Sequence, residues 1–187
     1  MSIDPAVFDR MYSENIDPWG YETSAYEAEK YALSLGLLGG RRFPRGVEIG
    51  CSIGVLSEQI ARRCDYFLGV DAAEAALERA RSRGVANGEF RRAVLPREWP
   101  CGVWDLIVLS EVLYFFDADD IAQLAHDAAR TLSSSGVVLL ASYLGDTETE
   151  LDGPASEEIF IECVLRHRAV RTAGRITRPG FRALLLA

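Results

Sequence analysis

Seven positions, Glu48-x-Gly50-Cys51-Ser52-x-Gly54, combine an acid, two glycines and two small residues. They follow the apolar run Gly46–Ile49 and lead into a Leu/Gln/Ala/Arg segment that starts at Leu56. Gly50 permits a tight turn, small Ser52 lets a ligand approach the main chain, and Gly54 lets a helix start pack close to the strand. A second acid, Asp71, ends the run Leu68-Gly69-Val70-Asp71, 21 positions after Gly50. At the end of a strand such an acid accepts hydrogen bonds from both hydroxyls of a ribose. The plainer role, capping the next helix, needs the same residue type. A dinucleotide loop is excluded, because Ser52 and Val55 occupy its second and third glycine positions. A phosphate loop is excluded because no Gly-Lys-Ser/Thr follows. A nucleotide-dependent oxidoreductase therefore lacks its loop.

What remains, Glu-x-Gly-x-small-x-Gly, resembles the first motif of class I S-adenosylmethionine-dependent methyltransferases, with Ser52 where the middle glycine usually stands. That resemblance assigns the ribose to Asp71 and its neighbour Ala72, and the adenine to the loop Phe90-Arg91-Arg92-Ala93-Val94-Leu95-Pro96. Many members place an acid in that loop. This chain has Ala93-Val94-Leu95, which implies backbone atoms and apolar contact instead. Farther on, Trp104-Asp105-Leu106-Ile107-Val108-Leu109-Ser110-Glu111 presents Ser110 and Glu111 at a strand end beside the expected transfer point. Glu111 is placed either to bind near the methionine part or to receive an amine. A polar residue that merely ends the strand reads the same way.

These groups need a scaffold that brings strand ends together. Short apolar runs (Gly46–Ile49, Tyr66–Val70, Leu106–Ser110, Val137–Ser142) alternate with helical segments at Leu56–Arg63, Ala73–Arg83 and Asp119–Leu132. Apolar runs without polar alternation belong to strands covered on both faces, and alternation with helices implies a parallel sheet. Asp117 is placed as an N-cap and Gly84 as a C-terminal stop. Ser24–Leu38 reads as a helix capped by Ser24 or Thr23 and stopped by Gly39-Gly40. Arg41–Arg45 reads as a basic linker. After a helix at Ala155–Leu165, His167–Thr172 and Phe181–Leu186 read as two strands joined through Gly174 and Pro179-Gly180.

Asp17-Pro18-Trp19, Ser24-x-Tyr26-Glu27-x-x-Lys30-Tyr31, the glycine loop and Leu109-Ser110-Glu111-Val112-Leu113-Tyr114 together resemble the nodulation protein S family of N-methyltransferases. The likeness covers roughly residues 8–142. It implies a Rossmann-like class I methyltransferase fold: an α/β domain over residues 1–187, with a seven-stranded, mostly parallel sheet and a C-terminal antiparallel hairpin. Residues 1–45 would form an N-terminal helical lid and 46–187 the cofactor-binding part. It further implies S-adenosylmethionine as cofactor, S-adenosylhomocysteine as product, and no metal. Family members methylate the free amine of a deacetylated chitooligosaccharide. A hydroxyl of a small molecule, or a relative that binds cofactor without turnover, remains an alternative. By this likeness Trp19 covers the cofactor or acceptor, Tyr26 and Lys30 share a helix face, and Lys30 is the candidate for the methionine carboxylate. Glu48, Gly50, Cys51, Ser52 and Gly54 form the cofactor loop. Glu111 and Tyr114 orient the acceptor, and the acidic stretch Tyr143–Glu150 lies over its cleft.

Composition sets the outer bounds. The chain has 187 residues with 20 Lys+Arg and 28 Asp+Glu, a net charge of −8. That balance excludes the basic footprint of a nucleic-acid binder and suits a small, cationic acceptor. Cys51, Cys64, Cys101 and Cys163 form no Cys-x-x-Cys pair, and His126 and His167 stand far apart, so local spacing supplies no zinc site. The scattered thiols, with no signal peptide or membrane-length apolar stretch, point to a cytoplasmic chain with no membrane partner, expected as a monomer.

Overall fold

The computed structural model describes residues 1–187. Two helices come first, α1 (Pro5–Glu14) and α2 (Ala25–Gly36). Strands and helices then alternate: β1 (Phe43–Ile49), α3 (Val55–Ala61), β2 (Cys64–Asp71), α4 (Glu74–Ser82), β3 (Gly88–Arg92), β4 (Trp104–Ser110), α5 (Ala118–Thr131), β5 (Leu132–Tyr143) and α6 (Gly153–His167). A hairpin of β6 (Thr172–Thr177) and β7 (Phe181–Leu186) closes the chain.

The seven strands form one sheet in the order β3-β2-β1-β4-β5-β7-β6. β1 to β5 pair in parallel, and β7 runs antiparallel between β5 and β6. The chain works outward from β1 to β3, then returns to place β4 on the other side of β1. This reversal opens a crevice at the carboxyl ends of β1 and β4, where an open α/β sheet takes its ligand. Gly50 and Ser110-Glu111 stand there.

The unbroken apolar runs have a direct cause. In β4, Ile107 and Leu109 pack with Leu124 of α5 and Phe160 of α6 in one core. Leu106 and Val108 point the other way, into a core with Leu56 of α3 and Leu77 of α4. Both faces are covered, so neither parity can be polar. Tyr31 and Leu35 of α2 belong to that second core. α2 is thus anchored in the body of the domain, and it is residues 1–21 that lie over the crevice.

Several elements differ from the sequence reading. β6 begins where the expected strand His167–Thr172 ends, and α6 runs on to His167. Gly174 lies inside β6 rather than in the turn. β6 is an edge strand with no buried residue, so its pattern lacks an apolar signature. The presumed linker Arg41–Arg45 enters β1 at Phe43, whose ring is buried. Phe90-Arg91-Arg92 completes strand β3 before the loop starts. α1 was not expected. His126 and His167 meet across α5 and α6, with ring centroids 4.7 Å apart, but no group of three or more metal-type ligands forms. No helix is long and apolar enough to cross a membrane.

Ser24 caps α2, its hydroxyl accepting from the Glu27 amide at 3.3 Å. Ser24→Ala is expected to lower stability by about 1 kcal/mol, read as a lower urea midpoint at unchanged slope.

Candidate cofactor site

The glycine loop turns through three left-handed residues, Gly50 (φ 74°), Ser52 (φ 51°) and Gly54 (φ 79°). The Gly50 and Cys51 amides both donate to the Val70 carbonyl at 2.9 Å. The Ser52 amide donates to Asp71 Oδ2 at 2.8 Å, and the Ala73 amide to Asp71 Oδ1 at 2.9 Å. One carboxylate therefore staples the loop after β1 to the helix start after β2, and each oxygen keeps a lone pair for a further donor. Burial raises the Asp71 carboxyl above its ordinary range, while the amides of Ala73 and Ser52 pull it back. Gly54 does not line the main cavity above the loop. It seats the start of α3 on α4, where an added Cβ would lie 2.9 Å from Ala80 Cβ.

A cavity of about 700 Å³ opens above this loop. Asp71, Ala72, Ala93, Val94 and Leu95 wall one end, Gly50 and Ser52 the floor, and Ser110 and Glu111 the other end. Residues of the first 21 roof it, including Phe8, Tyr12, Trp19 and Tyr21. Trp19 packs edge-on against Tyr12 with centroids 5.7 Å apart, and the Tyr12 hydroxyl bonds Ser52 Oγ at 2.5 Å. The Ala93 amide is spent on the Asp71 carbonyl and the Val94 amide on Glu98 Oε2. The wall at this end therefore presents mainly apolar surface.

A second cavity of about 30 Å³, room for about one water, lies beneath the loop. It shares Tyr21, Gly50, Ser52, Ser110 and Glu111 with the first and adds Lys30, Glu48 and Cys51. Glu48 is buried and accepts from Ser57 Oγ. Burial pushes its carboxyl up to about 8, against the Ser57 hydroxyl, which lowers it. A raised acid is protonated in the folded chain while the unfolded chain has released its proton. Stability from this group is therefore full below pH ~4.5 and lost as pH rises toward ~8. Glu48→Gln is expected to flatten that decline and to exceed wild-type stability at pH 8 by about 1 kcal/mol, measured by urea unfolding across pH.

The charged centre sits where the cavities meet. Glu111 has left-handed backbone (φ 53°) at the end of β4. Its Oε1 accepts from the Tyr26 hydroxyl at 2.7 Å, and its Oε2 from Lys30 Nζ at 2.5 Å. Lys30 also donates to Glu27 at 2.9 Å. Lys30 is 1% exposed and Glu27 4%. Burial, then the nearby Glu111 charge, raises the hydroxyls of Tyr26 and Tyr114, so both stay protonated donors. Tyr114 lines neither cavity and packs on Phe115 with centroids 4.6 Å apart. The stretch Tyr143–Glu150 also lines neither. Tyr143 meets Tyr26 edge-on at 6.3 Å, and Glu150 pairs with the Met1 ammonium.

Sequence reasoning missed Phe8, Tyr12 and Glu27. Phe8 and Tyr12 are spaced i, i+4, the signal of one apolar helix face. Glu27 stands three after Ser24, which reads as a capping box. Its carboxylate instead turns to Lys30.

Residues 9–143 match the family described as nodulation protein S (NodS). The chain belongs to that family. A NodS relative, nodulation protein S of Bradyrhizobium diazoefficiens, is 32% identical over 76% of this chain and 65% of its own length. The chain thus spans less than two thirds of that NodS protein. The solved N-methyltransferase NodS of Bradyrhizobium japonicum WM9, in complex with S-adenosylhomocysteine, shares the fold at TM-score 0.82 and 20% identity, covering 98% of both chains. A putative methyltransferase of Pseudomonas syringae is 32% identical at TM-score 0.74, covering 87% of this chain and 98% of that one.

Proposed function

We propose that the chain is an S-adenosylmethionine-dependent methyltransferase acting on an amine of a small molecule or an amino-sugar oligosaccharide. The observation that carries this reading is the Asp71 carboxylate. It is stapled to the glycine loop and lines a cavity large enough for a nucleoside, in a NodS-family chain. The residues fit the cofactor. Asp71 would receive the ribose hydroxyls, and Ala72, Ala93, Val94 and Leu95 would flank the adenine. Gly50, Ser52 and Ser110 border the path to the methionine end, and Trp19 with Tyr12 closes the roof. Glu48, Cys51 and Gly54 shape the loop from below and behind.

Bound S-adenosylmethionine supplies a methyl group already made electrophilic by its sulfonium. The chain's task is alignment and exclusion of water. Glu111 would accept an N–H of the acceptor at a carboxylate oxygen, and the methylated nitrogen sheds its proton to solvent as the product leaves. Tyr26 holds one oxygen of that carboxylate and Lys30 the other; Tyr114 stands three positions on as a further candidate to orient the acceptor. Two acids against one lysine leave a negative surplus that attracts an amine. The four thiols are free, as in a chain that acts in a reducing compartment such as the cytoplasm.

Mass spectrometry of an acceptor panel tests the reading. Glucosamine oligomers are expected to gain one methyl group, and their N-acetylated counterparts none. Turnover confined to a hydroxylated metabolite would replace the amine by an oxygen acceptor. No turnover of any acceptor would leave a cofactor-binding relative.

A further inference from the structure

We propose that Lys30 is a positioning residue: with Tyr26, one turn away on α2, it clamps the Glu111 carboxylate where the two cavities meet, and it does not bind the cofactor's carboxylate. This inference rests on the methyltransferase reading.

Three observations carry it. Two of the three Lys30 N–H donors are taken, because its ammonium already lies between Glu27 and Glu111. A third carboxylate would join two buried ones around a single cation, and like charges at such range repel strongly in a low-dielectric setting. The cluster's unmet demand is for positive charge, so a carboxylate is the wrong visitor.

The clamp is also complete. Tyr26 and Lys30 stand at i and i+4 on α2, and each takes a different oxygen of the same carboxylate. That leaves Glu111 no freedom to rotate away, yet it still lines both cavities.

Glu111 needs such a hold. A left-handed glutamate is strained and persists only when its surroundings determine it. The hold comes from a rigid element, since Tyr31 and Leu35 fix α2 in the core. Glu27 supplies the charge that keeps Lys30 buried. Without it, an ammonium at 1% exposure would depend on Glu111 alone.

The test uses Lys30→Met and, because that change strands two buried carboxylates and risks unfolding, the double variant Glu27→Gln/Lys30→Met. S-adenosylhomocysteine affinity by calorimetry is expected to stay within about threefold of wild type, since no cofactor contact is lost. Methyl transfer to fully deacetylated glucosamine tetramer is expected to lose about a hundredfold in kcat from misplacing one orienting group, with KM within about threefold. More than threefold loss of S-adenosylhomocysteine affinity in the folded double variant would overturn the proposal and return Lys30 to the cofactor. So would a kcat within threefold of wild type. Should the wild type itself transfer nothing to the tetramer, the acceptor reading fails. The calorimetry then decides Lys30 alone, unchanged affinity supporting the clamp and lost affinity overturning it.

Discussion

Asp71→Ala is expected to weaken S-adenosylhomocysteine binding by at least about a hundredfold, or roughly 3 kcal/mol. Two losses add. Hydrogen bonds from both ribose hydroxyls to an ionised acceptor are each worth about 1.5–3 kcal/mol. The same change frees the Ser52 and Ala73 amides, which now meet Asp71 at 2.8 and 2.9 Å, and so loosens the loop before any ligand arrives. Asp71→Asn separates the two losses. Its carbonyl oxygen can keep one amide, so its affinity is expected to fall between wild type and alanine. Calorimetry on variants shown folded by urea unfolding measures both. An affinity within threefold of wild type for Asp71→Ala would leave Asp71 as a helix cap and nothing more.

The second large effect belongs to Gly50→Ala. An L-residue in left-handed backbone costs about 1–2 kcal/mol, and Gly50 has φ 74°. A Cβ there would lie 2.6 Å from Val112 Cγ2 and 3.1 Å from Val112 Cβ. Val112 follows Glu111, so relieving the overlap shifts the clamped carboxylate and the loop together. Expected are a stability loss of about 2 kcal/mol, at least about a tenfold loss of S-adenosylhomocysteine affinity, and about a hundredfold loss of methyl transfer. Gly84→Ala is the control. Its φ of 67° is similar, but the space around it is open and distant from the cavity. It is expected to lose about 1 kcal/mol of stability and to bind cofactor normally. Equal binding losses in the two variants would show that strain, not the Val112 contact, is at work.

How legible these features were in the sequence depends on how local their causes are. β1, β2, β4 and β5 announce themselves because helices cover both faces and their central runs, such as Phe67–Val70, Leu106–Leu109 and Val137–Ala141, are apolar. The loop and Asp71 are legible because a tight turn, and the acid that staples it to the next helix start, each restrict residue type at fixed spacing. β6 was displaced because an exposed edge strand has no buried parity to read, and its Gly174 imitates a turn. α1 carries only Phe8 and Tyr12 toward the body, too short a stripe to register. The burial of Lys30 was hidden for a different reason. A lysine on a helix is exposed unless something distant pairs with it, and here the partner comes from 81 positions away. Glu27, legible as a capping acid, is recruited to the same pair. Only the fold brings α2 to the end of β4.

The most direct test of the central claim follows an isotope-labelled methyl group. The wild-type chain is incubated with methyl-labelled S-adenosylmethionine and glucosamine tetramer, and the product is fragmented by mass spectrometry. The account predicts the label on nitrogen of the sugar, with S-adenosylhomocysteine formed in equal amount. Label on oxygen, or S-adenosylmethionine left intact beside every amine offered, would contradict it.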